Sequence, residues 1–369
     1  MDFYRILAKA RSNPGELDAG DIAVLLDPPD AAAQQELFQA AYRKKVELCG
    51  KRVHLRGLIE FSNICTRNCL YCGIRRDNDR VSRYTMSMDE IIRSAAAAGE
   101  FGYGSAVLQS GERNDRQFVD LVEEILLKIR ELPYDLGITL SCGEQSLETY
   151  IRWRKAGARR YLLRIESASE KIFRAIHPAD ASFTGRKDAL QRLKDAGFQT
   201  GSGVMIGLPG QSIADLAQDI LFFRETDLDM IGMGPYLPQD ETPLGKMFPD
   251  QGNAAEKRLE LALRMIAVTR LVLPDVNIAA TTALQAISPA DGRERGILAG
   301  ANVIMPNVGD VSRRKDYQLY NGKPALDENN SLIREKLIAS LAAIGEQPGF
   351  NEAGDPQHFF NRIKKNERI

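Results

Sequence analysis

Short β-rich runs of apolar residues alternate with amphipathic stretches over most of the chain, starting near Val53. In the amphipathic stretches, apolar residues recur every three or four positions, as in helices. The β-rich runs are bounded by glycine and by polar turns. The runs predict eight strands, which begin at Val53, Ser105, Gly137, Tyr161, Gly201, Met230, Asn277 and Asn302. Strands that alternate with helices indicate parallel βαβ units and an α/β fold. Eight such units fit one closed (β/α)₈ barrel of the TIM type, and a doubly wound open sheet is the alternative.

Helical patterns flank this alternating region on both sides. Residues 1–50 show helical spacing, and a polar segment after the last strand precedes one amphipathic helix over residues 332–344. The charged tail over residues 361–369 is expected to fray. We therefore predict an N-terminal helical extension (1–50), the barrel (51–310) and a C-terminal extension that closes the barrel (311–369).

The composition of the 369 residues is that of an ordinary globular protein, with 44% apolar and 27% charged residues. Lys and Arg number 49 against 50 Asp and Glu, and this near-zero net charge of −1 argues against nucleic-acid binding that depends on bulk charge. No apolar run approaches the roughly 18 residues of a membrane span. The first residues lack the apolar region of a secretory signal, so we expect a cytoplasmic enzyme.

Three of the five cysteines, Cys65, Cys69 and Cys72, form a C-x₃-C-x₂-C motif directly after the first predicted strand. In a barrel, the loops after strands build the active-site face. Three thiolates on one loop can bind three irons of a [4Fe–4S] cube, whereas a structural cube normally takes four cysteines. The remaining iron would then be open to a substrate or cosubstrate. A zinc site or three buried thiols are the alternatives, but zinc sites favour paired C-x₂-C units or a nearby histidine.

The same spacing, with Tyr71 before the last cysteine, resembles the radical S-adenosylmethionine (radical SAM) superfamily. There the open iron binds the amino and carboxylate groups of the methionine part of S-adenosylmethionine (SAM), and reduction yields a 5′-deoxyadenosyl radical. The resemblance implies the radical SAM class of barrel, a [4Fe–4S] cluster and SAM. It also implies a set of SAM-binding residues, which are Tyr71, Gln109, Ser110, Gly111, Glu112, Arg164, Glu166, Arg186, Met205 and Met230.

These residues follow successive predicted strands. Residues 109–112 end the second strand, where the superfamily has a Gly-Gly-Glu segment that receives the methionine amino group. Glu166 follows the fourth strand and Arg186 lies beyond the next loop; an acid suits amino or ribose hydroxyl groups, and a guanidinium binds a carboxylate through two parallel hydrogen bonds. The segment from Met205 resembles the one that lies against adenine, and Met230 starts the neighbouring strand. Taken singly, each match has an ordinary explanation, such as a turn or a surface salt bridge.

From about Arg56 to Lys323 the chain is similar to the HydE family of [FeFe]-hydrogenase maturation proteins, in segments that include RGLIEFSNIC, NCLYCGIRRDN, IAATTAL and YQLYNGK. This family shares its barrel with biotin synthase and methylornithine synthase. Membership implies a small-molecule substrate inside the barrel, an iron complex that carries cysteine, CO and cyanide ligands. The residues implied to bind and enclose it are Thr281, Thr282, Tyr317 and Tyr320. The implied partners are other hydrogenase maturases and a reduced ferredoxin or flavodoxin, with no nucleic acid and no membrane.

The chain departs from the family pattern at two points. No cysteine follows Cys142, so the second cluster of some members should be absent, and Gln239 stands where members have a histidine. Biotin synthase is disfavoured because its second cluster needs three further cysteines. A lysine mutase that resembles methylornithine synthase stays open, since one barrel supports many reactions. The other alternative is an iron–sulfur electron carrier or scaffold, in which the SAM-binding set would be accidental.

Overall fold

The computed structural model of the protein describes residues 2–366. The helices are α1 (Asp2–Ser12), α2 (Ala19–Leu26), α3 (Ala31–Cys49), α4 (Met88–Glu100), α5 (Arg116–Ile129), α6 (Leu147–Ala156), α7 (Glu170–Ile176), α8 (Phe183–Asp195), α9 (Ile213–Glu225), α10 (Pro243–Met247), α11 (Ala254–Val272), α12 (Thr282–Ile287), α13 (Gly292–Leu298), α14 (Val311–Arg314), α15 (Asn330–Ala343) and α16 (Gln357–Asn366). The strands are β1 (Arg52–Ser62), β2 (Ser105–Ser110), β3 (Gly137–Ser141), β4 (Ala158–Leu162), β5 (Gln199–Ser202), β6 (Met205–Ile206), β7 (Met230–Ile231), β8 (Gly234–Pro235), β9 (Asn277–Ile278), β10 (Val303–Ile304) and β11 (Gln347–Gly349).

Eight strands pair side by side and in parallel, in the order β10, β1, β2, β3, β4, β5, β7 and β9. The seam between β9 and β10 is joined by two backbone hydrogen bonds, from Asn302 to the oxygen of Ile278 and from Ala280 to that of Val303, both 2.9 Å. The parallel sheet therefore curls round and meets itself at this seam. The predicted TIM-type α/β barrel is confirmed over the open sheet.

Helices begin where the sequence supplies capping side chains. Ser87 and Glu90 form a reciprocal capping box at the start of α4, and Ser212 and Asp215 do the same for α9. Each box satisfies two backbone donors that a helix leaves free at its N-terminus. These caps fix where each helix leaves its preceding loop and so hold the helices around the strands.

The fifth, sixth and seventh predicted strands are shorter or more broken than the sequence pattern indicates. The fifth is divided into β5 and β6 and the sixth into β7 and β8, because a β-carbon at Gly203 would lie only 1.9 Å from the carbonyl oxygen of Gly232. Backbones that approach this closely leave the regular ladder. The seventh strand ends after Ile278, since Thr281 already occupies the N-cap of α12.

The C-terminal segment contributes more structure than its polar sequence predicts. β11 pairs in parallel with residues 52–54 of β1, a pairing that the sequence did not predict. The expected fraying of the tail is wrong for residues 361–366, which lie in α16, where Arg362 binds Asp229 at 2.7 Å. Residues 367–369 lie outside the described residues. The division into three segments at 50 and 310 stays a prediction.

Residues between β11 and α16 close the end of the barrel at which the strands begin. The carbonyl of Gly354 accepts hydrogen bonds from Arg56 (3.2 Å) and Asn277 (2.8 Å). The carboxylate of Asp355 accepts from Arg160 (2.5 Å) and Gln199 (2.9 Å). These donors, which come from four strands, thereby gain acceptors at the strand starts. Because this end is filled, the opposite end, where the strands finish, is left for a site.

α16 is held to the barrel by His358, whose Nδ1 lies 2.9 Å from Asp275 and whose Nε2 lies 2.8 Å from Asp227. Burial opposes charging of the imidazole, but the two carboxylates outweigh it and raise the pKa of His358 to about 9. Protonated His358 therefore stabilises the folded state. This contribution is complete below the pKa of histidine in the unfolded chain, about 6.5, and is lost as the pH rises through 9.

We therefore expect His358→Asn to lower the free energy of unfolding by about 2 kcal/mol at pH 6 and by much less at pH 9.5. Urea unfolding at the two pH values measures the difference. His54→Asn is the matched control, because burial lowers the pKa of His54 to about 4 and the imidazole is neutral at both pH values. An equal loss at pH 6 and 9.5 would show that His358 acts through packing alone.

No helix in the described part of the chain combines the length and the apolar character that crossing a membrane requires.

Candidate active site

The three cysteines of the motif lie on the loop after β1 and line one cavity of about 300 Å³ at the strand ends. All three thiols are half-buried and free. The Sγ atom of Cys65 faces the backbone amides of Arg67 and Glu112, at 3.4 and 3.3 Å. The structure therefore brings the motif to the face of the barrel where the sequence predicts an active site.

The cysteine loop is fixed by contacts with the rest of the barrel. The amide of Leu70 donates to the oxygen of Ile176 and its carbonyl accepts from Leu244, both at 2.9 Å. The guanidinium of Arg83 donates to the carbonyls of Asn63 and Ile74, both at 2.8 Å. A loop held at several points presents its thiols in a set arrangement before any metal binds.

The arrangement of the thiols fits a multi-iron cluster better than a single metal ion. Within residues 2–366, no three His, Cys, Asp or Glu side chains converge closely enough to share one ion. Burial raises the pKa of Cys69 to about 12 and raises the pKa of Cys72 further, so these thiolates need positive charge beside them. A cube offers a separate iron to each thiolate and supplies that charge. This disfavours the zinc alternative.

Two arginines and two carboxylates form a charged network beside the cysteine loop. Arg186 lies in the first turn of α8, where its Nε is 2.5 Å from Glu144 and its Nη1 donates to the oxygen of Arg164 at 2.6 Å. Glu112 binds Arg67 and lies 3.9 Å from Arg186. Burial alone would lower the pKa of Arg186, but Glu144 and Glu112 raise it, so the guanidinium stays charged.

Glu166 is a buried carboxylate whose Oε2 atom has no hydrogen-bond partner. It lines the cavity and adopts a left-handed backbone with φ of 66°, which is unusual for a residue other than glycine. The guanidinium of Arg164 lies 3.1 Å away without a well-oriented hydrogen bond. Burial raises the pKa of Glu166, because the charged form has lost its water. A buried acid with a strained backbone and an oxygen that accepts no hydrogen bond suits a ligand that donates one.

The other predicted SAM-binding residues, with one exception, line the same cavity. These are Tyr71, Gln109, Ser110, Gly111 and Met205. A β-carbon at Gly111 would lie 2.4 Å from the carbonyl oxygen of Ile64, so only glycine fits between the two loops. Met230 is the exception: it starts β7 and lies deeper in the barrel, where its sulfur is 3.0 Å from Nη1 of Arg56.

The four predicted substrate residues also line the cavity. The sequence predicts that Thr281 and Thr282 lie on the seventh strand. In the structure Thr281 is instead the N-cap of α12 and Thr282 its first residue. The Tyr320 hydroxyl donates to that of Thr282 at 2.9 Å, and Tyr317 is buried in the cavity wall. This hydrogen bond links the segment after β10 to the start of α12.

Sequence reasoning missed two charged pairs at the site. One is Glu60 with Lys323, whose Nζ lies 2.6 Å from both carboxylate oxygens. The other joins Arg67 and Glu144 to the network around Arg186. Glu60 carried a signal, since it is a charged residue inside the apolar run of β1, whereas Lys323 and Glu144 lie in polar loops that have none.

Two residues that the sequence left open lie away from the cavity. Cys142 is fully buried, with its sulfur 3.8 Å from the oxygen of Leu108, so it faces the core. Gln239 is half-buried and its side-chain oxygen accepts from the amide of Glu241 at 2.6 Å. Neither side chain lines the cavity.

Comparison with known proteins agrees with this geometry. Residues 59–223 match the model of the radical SAM superfamily. The chain is 42% identical to the [FeFe] hydrogenase maturase subunit HydE of Thermotoga maritima, over 89% of this chain and 91% of that protein. The chain belongs to the HydE family of radical SAM enzymes. As a member it uses a [4Fe–4S] cluster and SAM, and the reaction characteristic of its superfamily is reductive cleavage of SAM.

Two further proteins are similar to this HydE family member. One is the 3-methylornithine synthase of Methanosarcina acetivorans, with 26% identity over 90% of this chain and 91% of that protein. The other is a crystal structure of methylornithine synthase (PylB), which has a TM-score of 0.79 and 24% identity and covers 94% of this chain and 98% of that one. The structural match shows the fold alone.

Proposed function

We propose that Cys65, Cys69 and Cys72 hold three irons of the [4Fe–4S] cluster and that the fourth iron faces SAM. The observation that carries this is the meeting of three free thiols and the buried carboxylate of Glu166, whose Oε2 atom accepts no hydrogen bond, in one cavity. The chemistry that the bound pair supplies is reductive cleavage of SAM to a 5′-deoxyadenosyl radical. Free thiols of this kind suit a reducing compartment, which supports a place in the cytoplasm.

In this proposal the charged residues of the cavity bind and orient SAM. Glu112 accepts from the methionine amino group and Glu166 from hydroxyl or amino groups, since each presents a carboxylate to the cavity. Arg186 neutralises part of the negative charge of Glu112 and Glu144, with which it forms ion pairs. Its guanidinium also binds the carboxylate of SAM. Gln109, Ser110 and Gly111 supply the tight backbone turn beside them.

We further propose that the chain is a hydrogenase maturase that acts on a small iron complex with cysteine, CO and cyanide ligands. The support is 42% identity across nearly the whole of a HydE protein. Thr281, Thr282, Tyr317 and Tyr320 would hold this substrate and exclude water, because a radical must meet one chosen atom. Other maturases and a reduced ferredoxin or flavodoxin are the proposed partners.

The test of substrate class is an anaerobic assay of the reconstituted protein with SAM and dithionite. We expect an iron(II)–cysteine complex to increase the rate of 5′-deoxyadenosine formation several-fold over the substrate-free rate. Lysine, offered in parallel, should leave the rate unchanged. Stimulation by lysine instead would assign the chain to the mutase reaction that its likeness to methylornithine synthases favours. A cluster that never cleaves SAM would leave only the electron-carrier alternative.

A further inference from the structure

Asp219, on α9, is a buried carboxyl group behind the wall of the cavity. Its side chain is fully buried, and it is not among the described residues that line the cavity. The charged groups that act on it include two further carboxylates, those of Asp215 and Glu166. A buried acid near other acids costs stability, so a role for this side chain in the neighbouring site is expected.

Asp219 holds the loop that follows β4. Its Oδ1 atom accepts a hydrogen bond from the amide of Ala168 at 2.5 Å and one from the hydroxyl of Ser167 at 3.4 Å. The Ser167 hydroxyl itself accepts from the amide of Ser169 at 3.2 Å. These residues directly follow Glu166, whose backbone is left-handed with φ of 66°. Such a backbone persists where the surrounding structure fixes it, and Asp219 provides a fixed point on a regular helix.

The other oxygen of Asp219 connects this loop to the one after β6. It accepts from Nε2 of Gln211 at 3.4 Å, and the same nitrogen donates to the carbonyl of Met205 at 3.1 Å. The side-chain oxygen of Gln211 accepts from the amide of Gly207 at 2.8 Å. Asp219 and Gln211 thus join, from behind, the two loops that bring Glu166 and Met205 to the cavity wall.

Glu166 is held from both sides along the chain. Its amide donates to the oxygen of Gly203 and its carbonyl accepts from the amide of Met205, both at 3.0 Å. The bond from Ala168 to Asp219 fixes the peptides that come after it. Glu166 therefore cannot relax to the common right-handed backbone without breaking one of these hydrogen bonds.

We propose that Asp219 is a positioning residue for SAM binding, which keeps the Glu166 carboxylate at the cavity by holding the amide of Ala168. The inference rests on the proposed contact between Glu166 and SAM. It extends the determinants of SAM affinity to a side chain outside the lining of the cavity.

Three substitutions of Asp219 separate its hydrogen-bond acceptor from its shape. Asp219→Ala removes the carboxyl group, and Asp219→Leu removes it but keeps a branched side chain, so that one variant can be measured if the other does not fold. Asp219→Asn keeps an oxygen for the amide of Ala168. Because burial raises the pKa of Asp219 to about 8, a neutral side chain suits this position. The dissociation constant of SAM is measured from the change in the electron paramagnetic resonance (EPR) spectrum of the reduced, reconstituted protein.

We expect Asp219→Ala and Asp219→Leu to raise the dissociation constant of SAM about tenfold and to leave the iron content unchanged. Asp219→Asn should bind SAM nearly as the wild type does. In a Glu166→Gln background, Asp219→Ala should weaken binding little further, because the charge that Asp219 positions is already gone. Phe223→Leu alters a fully buried side chain one turn further along α9, so it controls for a loosened helix and should keep the wild-type affinity.

Unchanged affinity in Asp219→Ala or Asp219→Leu overturns the proposal, and so does an Asp219→Asn variant that binds SAM as weakly as they do. A loss that persists in full in the Glu166→Gln background, or that Phe223→Leu reproduces, also overturns it, because Asp219 would then act through the packing of α9. In all these outcomes Glu166→Gln still binds SAM more weakly than the wild type. Wild-type affinity in Glu166→Gln would instead overturn the proposed contact between Glu166 and SAM.

Discussion

Replacing Cys69 with alanine is expected to abolish the [4Fe–4S] cluster and, with it, all cleavage of SAM. Cys69 is the middle ligand of a loop that supplies the only free thiols lining the cavity in residues 2–366. With two thiolates left, a second iron of the cube loses its protein ligand. Three measurements should fall to the level of a protein-free control. They are the iron and sulfide content after anaerobic reconstitution, the EPR signal after reduction and the amount of 5′-deoxyadenosine formed.

Cys142→Ala is the matched control, because it removes a buried thiol that faces the core. We expect this variant to bind the same amount of iron and to cleave SAM at the wild-type rate, with a loss of about 1 kcal/mol in the free energy of unfolding. A full cluster in Cys69→Ala, or its loss in Cys142→Ala, would contradict the proposed ligand set. Zinc bound by the aerobically purified Cys69→Ala variant would point to a different metal site.

The barrel and its cysteine loop could be predicted from the sequence because both depend on local pattern. Glycine-bounded apolar runs mark strand positions, and the spacing of Cys65, Cys69 and Cys72 is a property of one short segment. Glu112 and Glu166 are found through the resemblance to the radical SAM superfamily, and both lie in loops after strands, on the face where parallel strands end.

Features that depend on distant parts of the chain could not be predicted. β11 forms by pairing with residues 52–54 of β1. The sequence of β11, Gln-Pro-Gly, has no strand pattern of its own. Lys323 meets Glu60 across more than 260 residues of sequence. Such contacts are fixed by the closure of the barrel, which only the three-dimensional fold reveals.

The placement of Met230 shows a limit of assigning residues by strand alone. Met230 lies on the expected strand but at its start, and in a barrel the start of a strand is at the end away from the site. It therefore contacts Arg56 in the lower interior instead of facing SAM. The position of a residue between the start and the end of its strand decides whether it reaches the cavity. The sequence pattern does not give that position where the strand is broken, as between β7 and β8.

Glu166→Gln is expected to weaken SAM binding about 10- to 100-fold and to leave the cluster intact. The substitution keeps the shape of the side chain but removes the charge that would accept hydrogen bonds from SAM, and a hydrogen bond to a charged group is worth about 1.5–3 kcal/mol. The measurement is the dissociation constant of SAM, from the change in the EPR spectrum of the reduced cluster. Glu170→Gln, which alters an exposed carboxylate paired with Arg174, is the control and should bind SAM as the wild type does.

The same substitution should make the ligand-free protein more stable at neutral pH. Because burial raises the pKa of Glu166, ionising this group above its unfolded pKa of about 4.3 works against the folded state. The free energy of unfolding of Glu166→Gln should exceed that of the wild type at pH 7, and the two should converge near pH 4. A variant that loses stability at pH 7 would mean that the pairing with Arg164 outweighs the loss of hydration. A gain in stability with a loss of affinity would show that the fold holds this acid for its ligand.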